Sequence, residues 1–407
     1  MPSLCTLRCW SKWIGFLSLF IMLHAWLTYE FCTDLQHSHY RSFCPERGRI
    51  HDKSMARMRA KNAIQYMDSF NQTSKAQQVR QTLRTRLHSR SSDVCVAVVT
   101  VMRKSLPVRM QYLFQVLHRL LPEVLADDRV SLVIANAEKD PSLHTALRRY
   151  AWFIPSYHIP PLSSTGSVFL KERYDYGHAL QACSQYKPKY IVLIEDDTVP
   201  LPGFFDSLRY LIKGPLSTYS YSESSKYKHP WAYTKLYYPE RWSGFQNKDM
   251  LNLIVVSLLL GTFLVVLAYV LHVKVPPHSA EYSHRGLWMF TVQMTLPAAF
   301  LVLSVVWMLN RHHLDNLRLY WRALYAVTSP ADRCCTPAVL YQSWAADQLS
   351  QHLISSAGNQ AFSPETDLAI ADFAEALGWV TYAVLPNLAA HHGRVSTLPK
   401  PVMDDVS

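Results

Sequence analysis

Apolar positions along the chain fall into runs of two lengths, and the lengths separate membrane-spanning from globular segments. Three runs are long. Trp13 to Tyr29 is apolar apart from Ser18, His24 and Thr28, while Leu251 to Val273 and Leu287 to Leu309 contain no Asp, Glu, Lys or Arg. Each of the last two is long enough, as a helix, to cross a hydrocarbon layer of about 30 Å. The short runs have the length of buried strands. Val94–Val101, Ser131–Ala135 and Tyr190–Ile194 are β-branched and apolar, and helical stretches separate them: Leu106 to Leu121 opened by Pro107, Asp140-Pro141 to Tyr150, and Leu170 to Tyr186. That βαβα alternation predicts a parallel sheet with both faces covered.

Beyond Pro200 and Pro202 the pattern predicts a helix ending near Lys213-Gly214, then a strand in the aromatic alternation of Trp231–Tyr238. The two long runs interrupt there. After them come Cys334–Tyr341, a helix from Glu365 to Leu377, and the strand Thr381–Val384. Neither globular piece has the usual complement of elements, so the two are expected to form one α/β domain.

Charge orients the spans. Arg8 and Lys12 precede the first run and Glu30 and Asp34 follow it, which places the amino terminus in the cytosol and reads as a signal anchor. A cleaved signal peptide is the rival, and no small-x-small cleavage site follows the apolar core. The short connection Lys274–Gly286 carries Lys274 and Arg285 and suits a cytosolic turn. The expected organisation is a cytosolic tail 1–12, an anchor 13–29, a lumenal stem 30–92, a first globular part 93–250, a span 251–273, a cytosolic loop 274–286, a span 287–309 and a second globular part 310–407.

The 407 residues are 49% hydrophobic and carry a net charge of +11, much of it between Arg41 and Arg90 with few aromatics. That distribution fits an exposed basic helix or stalk better than a nucleic-acid surface. Cys5 and Cys9 fall on the cytosolic side, as palmitoylation sites or as bystander thiols. Cys32, Cys44, Cys95, Cys183, Cys334 and Cys335 are an even number in an oxidising compartment, where disulfides are expected while spacing leaves their pairing open. The sequon Asn71-Gln72-Thr73 is a candidate glycosylation site.

Candidate chemistry centres on the strand ending Ile194-Glu195-Asp196-Asp197-Thr198-Val199-Pro200. Three adjacent carboxylates at the carboxyl end of a buried strand stand where α/β sheets bind ligands, and they repel unless a cation neutralises them. A divalent metal carrying a phosphorylated ligand would do so. An acidic turn before the prolines is the plain alternative.

That motif, followed by Lys235-Leu236-Tyr237-Tyr238-Pro239-Glu240-Arg241, a two-span hairpin, Cys334-Cys335-Thr336-Pro337-Ala338 and Pro386-Asn387-Leu388 with His391 and Gly393, resembles the post-GPI-attachment N-acetylgalactosamine transferase family in sequence and order. The resemblance runs from about Val94 onward. It implies an α/β fold with a GT-A-type, Rossmann-like glycosyltransferase domain split by a transmembrane helical hairpin, plus the amino-terminal signal anchor. It also implies a multi-pass Golgi membrane enzyme with a lumenal catalytic domain that inverts the sugar, moving GalNAc from UDP-GalNAc to the first mannose of the glycan on GPI-anchored proteins, with Mn2+ or another divalent cation.

By matching position, Asp197 is the first expected metal contact, with Asp196 and His391 beside it; Glu195, Asp196, Val101, Arg103 and Thr336 are expected at the donor. An acid is expected where Met102 stands. Glu365 and Asp367, opening a helix, are candidates for the base that takes the acceptor proton, or plain first-turn acids that favour the helix dipole. His391 is a third metal ligand or a satisfied surface imidazole. Arg103 has a plain surface reading as well. The resemblance suggests that Cys334 and Cys335 pair in a vicinal disulfide. Two other readings remain, a different transferase such as a branching N-glycan GlcNAc transferase and a non-enzymatic Golgi membrane scaffold.

Overall fold

A computed structural model of the chain describes residues 18, 20–29, 45–70, 73–88, 92–162, 167–219, 231–239, 245, 247–272, 283–357 and 365–392. Cys5, Cys9, Cys32, Cys44, Asn71, Glu240, Arg241, Gly393 and residues 274–282 of the 274–286 loop lie outside these residues. In chain order the elements are the apolar helix α1 (Phe20–Tyr29), α2 (Pro45–Asp68), α3 (Thr73–His88), β1 (Val94–Thr100), α4 (Leu113–Ala126), β2 (Val130–Asn136), α5 (Thr145–Tyr150), β3 (Ser156–His158), α6 (Val168–Ser184), β4 (Tyr190–Glu195), β5 (Thr198–Pro200), α7 (Phe204–Lys213), α8 (Pro215–Tyr219), β6 (Tyr233–Lys235), α9 (Asn247–His272), α10 (Ser283–Asn316), β7 (Ala326–Thr328), β8 (Ala338–Gln342), α11 (Ser343–Ser356), α12 (Thr366–Ala376), β9 (Thr381–Leu385) and β10 (Ala389–His391).

The chain divides into two units. One comprises residues 1–53 and 240–317, and the other 54–239 and 318–406. The first unit holds two helical segments long and apolar enough to cross a membrane, Asp249–Leu267 and Met294–Arg311. They pack closely where Gly261 meets Ala299: a Cβ added at Gly261 would stand 2.5 Å from the Ala299 nitrogen. Only a residue without a side chain permits that approach. Leu259 and Phe263 point outward, 66% and 60% exposed, as lipid-facing positions would.

The second unit is an eight-stranded sheet in the order β3-β2-β1-β4-β8-β6-β9-β7, beside a β10-β5 ribbon. The sequence pattern predicts a parallel sheet, and the structure is mixed. β3, β2, β1 and β4 run parallel, whereas β8 pairs antiparallel with β4 and β6. The reason is the insertion. β8 enters the sheet after α9 and α10 and not through a right-handed crossover from β4, so no rule obliges it to be parallel. Strands from both sides of the insertion alternate in one sheet.

Alternation along β1 divides the core. Val94, Val96 and Val98 face a layer with α4, while Cys95 and Ala97 face α6 and α11. Cys95 is disulfide-bonded to Cys183, tying β1 to α6.

The expected stem needs correction. Its basic, polar composition hides an apolar stripe, and Ala63, Ile64, Met67, Phe70, Ala76, Val79 and Leu83 are buried in the same core as β1 and α4. Arg86 donates to the carbonyls of Leu125 (3.1 Å) and Asp127 (2.8 Å), capping the end of α4. Residues 54–88 therefore belong to the folded unit. Two predicted helices also start later than expected: Val108–Met110 and Pro141–Leu143 are single 3-10 turns ahead of α4 and α5.

Candidate functional site

β1, β2 and β4 are parallel and in register, Val99 opposite Glu195 and Thr100 opposite Asn136, so their carboxyl ends lie along one edge. Everything that leaves those ends converges there. β4 delivers Glu195, and the turn beyond it carries Asp196 and Asp197, both buried. β1 leads into a loop held by Gln111. Its Oε1 accepts from the Arg103 backbone N–H (3.0 Å), and its Nε2 donates to the carbonyls of Arg103 (2.9 Å) and Leu106 (3.0 Å).

The loop presents the Arg103 guanidinium to the acids. One nitrogen, Nη2, donates to Asp196 Oδ1 at 2.7 Å and to Asp197 Oδ2 at 2.9 Å, and all three side chains are nearly buried. Tyr112 lies under the guanidinium, 5.0 Å from its ring centre. The Arg103 Nη2 neutralises the crowded carboxylates, a task assigned on sequence grounds to a metal alone, at the sheet edge where a donor diphosphate is expected. The plain surface reading of Arg103 fails, because its side chain is buried.

Asp196 is saturated. Its Oδ2 accepts from Thr100 Oγ1 (2.7 Å) and from the Val101 N–H (3.4 Å). Behind Thr100 stands His144, a residue that no sequence pattern singled out. The Leu147 N–H donates to His144 Nδ1 (3.2 Å), so the neutral ring carries its proton on Nε2 and gives it to Thr100 Oγ1 (3.1 Å). Burial pushes the His144 pKa down to about 4, which keeps that tautomer neutral. A fixed chain thus runs from α5 through His144 and Thr100 to Asp196. With both oxygens engaged by Arg103, Thr100 and Val101, Asp196 holds the turn that carries Asp197 in place.

Asp197 differs. Its Oδ1 is buried without a hydrogen bond among the described residues, and His391 Nε2 lies 3.4 Å away. The β5–β10 ribbon makes this meeting: His391 pairs with Thr198, and the His392 N–H donates to the Asp197 carbonyl at 2.8 Å. Burial opposes charge on Asp197, but His391 and Arg103 outweigh it and hold its pKa below the ordinary carboxylate range. Burial pushes Asp196 up against the pull of Arg103, and it pushes Glu195 well above the usual range, with repulsion from Asp197, Glu172 and Asp196 adding to it. Of the three acids, Asp197 is the one whose surroundings favour the anion. An orphaned carboxylate oxygen beside an imidazole nitrogen is a donor pair that suits a borderline divalent cation, so these residues fit a metal.

The acceptor-side candidates gather around a second feature. Cys334 and Cys335 form the vicinal disulfide. The Cys335 N–H donates to Asp367 Oδ2 at 2.7 Å, and Asp367 Oδ1 accepts from its own neighbour, Leu368 (3.0 Å). Glu365 is the N-cap residue of α12 without a side-chain capping bond. Lys235, 1% exposed, donates to the carbonyls of Asp332 and Cys334, and burial lowers its pKa to about 8 against the pull of Asp367 and Asp332. Cys334, Cys335 and Asp367 lie close enough to share an ion, but paired sulfurs are not thiolate ligands. Thr336 is buried against the Tyr176 hydroxyl, which also bonds Tyr341 (2.8 Å).

Two acids escaped the sequence reading. Glu172, on α6, is pushed up to about 7 by burial, then by Asp367, Asp175 and Glu365, and it also raises Glu195. It links the two groups of acids. Glu138, beyond β2, accepts from the Met102 N–H at 2.6 Å, so an acid does reach the Met102 position, from a neighbouring strand. The signal available was the acidic face of α6 in Lys171-Glu172-Arg173-Tyr174-Asp175, which helical spacing alone marks as ordinary.

Other motif residues pin one another. Asn387 Oδ1 accepts from the Tyr238 N–H (2.9 Å), and its Nδ2 donates to the Tyr238 carbonyl (2.7 Å).

The family model described as GPI-N-acetylgalactosamine transferase PGAP4 matches residues 94–390. Among solved structures, the chain is similar to a mannosyltransferase from Pyrobaculum calidifontis in complex with GDP-Man and Mn2+, at 10% identity, 74% coverage of this chain, 92% of that one and a TM-score of 0.24. That similarity is too low to carry anything over.

Proposed function

The chain belongs to the GPI-N-acetylgalactosamine transferase PGAP4 family and is a glycosyltransferase, and from that premise we propose that it moves GalNAc from UDP-GalNAc to the first mannose of the glycan on GPI-anchored proteins in the Golgi lumen, with inversion, through a split GT-A domain. The observation that carries the site is Asp197: a buried carboxylate with one oxygen held by Arg103 and the other facing His391.

Asp197 and His391 would hold a divalent cation such as Mn2+, and that ion, when bound, neutralises the diphosphate as it leaves. The chain's own residues do the rest. Arg103, Thr100 and His144 fix Asp196 and, through it, the turn that carries Asp197. Glu195, Val101 and Thr336 line the edge where the donor would lie. Inversion needs a carboxylate to take the acceptor hydroxyl proton. Asp367 is our choice, with Glu365 at the same helix end. Glu172, close to neutral pH in its own titration, discourages further negative charge nearby and favours a proton within the cluster.

The family match disfavours a non-enzymatic scaffold. The Cys95–Cys183 bridge supports an oxidising compartment for this unit.

The test is a panel of UDP-sugars with the purified full-length protein, with and without Mn2+. Hydrolysis and transfer should be selective for UDP-GalNAc and should need the ion. Asp197→Ala should express and insert normally yet lose transfer by three orders of magnitude or more, on the order of 4 kcal/mol in the transition state. Preference for another UDP-sugar, or full activity of Asp197→Ala, would overturn the assignment.

A further inference from the structure

A lysine inside a β-sheet is costly, because burial strips its ammonium of water. Lys235 stands in β6 between β8 and β9 with 1% of its surface exposed. Burial lowers its pKa to about 8, against the pull of Asp367 and Asp332. An apolar side chain of similar length would fill the same space without that cost.

Its hydrogen bonds show what it holds. Nζ donates to the carbonyls of Asp332 and Cys334, both in the loop between β7 and β8. The Cys334 carbonyl and the Cys335 N–H are the two ends of one peptide group, and that N–H donates to Asp367 Oδ2 at 2.7 Å. Lys235 and Asp367 therefore grip the same peptide from opposite sides. Cys335 has a φ of 66°, in the left-handed region that a residue with a side chain keeps only where its surroundings fix it. The rest of the loop is fixed as well. The Ala331 N–H donates to Thr381 Oγ1 at 3.1 Å, and Arg333 pairs with Asp372 and Glu375 of α12.

A positive charge on a carbonyl oxygen polarises the peptide and makes its N–H a stronger donor. Lys235 thus acts on Asp367 through the peptide. Asp367 Oδ1 accepts from the Leu368 N–H at 3.0 Å and Oδ2 from Cys335, so the plane of the carboxylate is set by one bond within α12 and one from the loop. Of the charged groups around this corner, Glu172 on α6, Glu365 at the start of α12 and Asp332 in the loop are acids; Lys235 on β6 is the buried cation among them.

We propose that Lys235 is a positioning residue for the transfer reaction: through the Cys334–Cys335 peptide group it fixes the orientation in which Asp367 meets the acceptor hydroxyl. The proposal rests on the reading of Asp367 as the base that takes the acceptor proton.

The experiment is a double-mutant cycle on the full-length protein in detergent, with UDP-GalNAc as donor and a purified GPI-anchored protein as acceptor. Asp367→Asn removes the base and should lower kcat for transfer by about 10²- to 10³-fold. Lys235→Met removes the ammonium and keeps the apolar stem; kcat should fall about 10- to 100-fold, the cost of a misplaced catalytic group, while KM for UDP-GalNAc stays within about two-fold. In the Asp367→Asn background the same change should cost less than about three-fold, because no base is left for Lys235 to position. Wild-type kcat in Lys235→Met, or an equal loss in both backgrounds, would overturn the proposal and leave the base assignment standing. Full transfer by Asp367→Asn would remove the base assignment and the proposal with it. If Lys235→Met does not accumulate as folded protein, Lys235→Gln, which keeps an N–H donor without the charge, takes its place and the same outcomes decide.

Discussion

Replacing Arg103 with Met tests the claim that the acids of this site are held together by a cation from the chain itself. Met keeps much of the buried stem and removes the charge. Two carboxylates, with side chains 6% and 8% exposed, then lose their shared donor. Removing one member of a buried ion pair costs about 3–5 kcal/mol. The chain can limit this by protonating Asp196, and that sets a ceiling. From an ordinary value of 3.8, neutralising one carboxylate at pH 7 costs about 4 kcal/mol at about 1.4 kcal/mol per unit. At pH 5 the same step costs under about 2 kcal/mol.

The sign follows directly. The charge of Arg103 stabilises most when Asp196 and Asp197 are ionised, and its contribution fades as pH falls towards their ordinary range. Thermal melts of full-length Arg103→Met in detergent should show a midpoint about 6–12 °C below wild type at pH 7. The gap at pH 5 should be less than half as large. Adding Asp196→Asn should recover part of the loss at pH 7, and Arg103→Lys should rescue incompletely, since an ammonium cannot reproduce the guanidinium fork. Equal gaps at both pH values, or none at pH 7, would refute the reasoning.

Three further predictions concern buried groups. His144, at about 4 when folded and 6.5 ordinarily, contributes stability that is full above pH 6.5 and lost as pH falls towards 4; His144→Gln should lack that component, and parallel melting curves for the two proteins across this window would count against it. Glu172 runs the other way, about 7 when folded against 4.5, so its contribution is full below pH 4.5 and lost as pH rises through 7; Glu172→Gln should match wild type at pH 4.5 and melt higher at pH 8, and equal midpoints at pH 8 would contradict the cluster. Arg173 is fully buried with no hydrogen-bond acceptor among the described residues for any of its three nitrogens, so Arg173→Met should raise stability by on the order of 1–4 kcal/mol; a lower melting point would show that its charge is compensated.

The sequence alone determined whatever depends on local pattern. The run Tyr190–Ile194 had to be a buried strand because it is apolar over the length of one, and its three acids had to sit at the strand's carboxyl end because they follow it directly. The long uncharged runs at 251–273 and 287–309 marked two helices long and apolar enough to cross a membrane for a similar reason: a bilayer's thickness translates into residue count. Asp197 and Arg103 were both legible as candidates.

Tertiary structure decided what joins them. Nothing local says that Arg103 reaches back across β1 to Asp196 and Asp197, since that contact needs the register that aligns the ends of β1 and β4. His391 stands 194 positions beyond Asp197 and meets it only because β10 pairs with β5. His144 and Glu172 carried no signal, one a lone histidine and the other one acid among several on a helix. Their roles come from desolvation and neighbouring charge, which pattern does not encode. Composition misled in residues 54–88, where seven Lys and Arg stand against the single acid Asp68 while one stripe, from Ala63 to Leu83, packs into the core. The direction of β8 was likewise beyond the sequence, because a strand that returns after a long helical insertion is free to enter the sheet either way, and only the packing of the whole sheet fixes which.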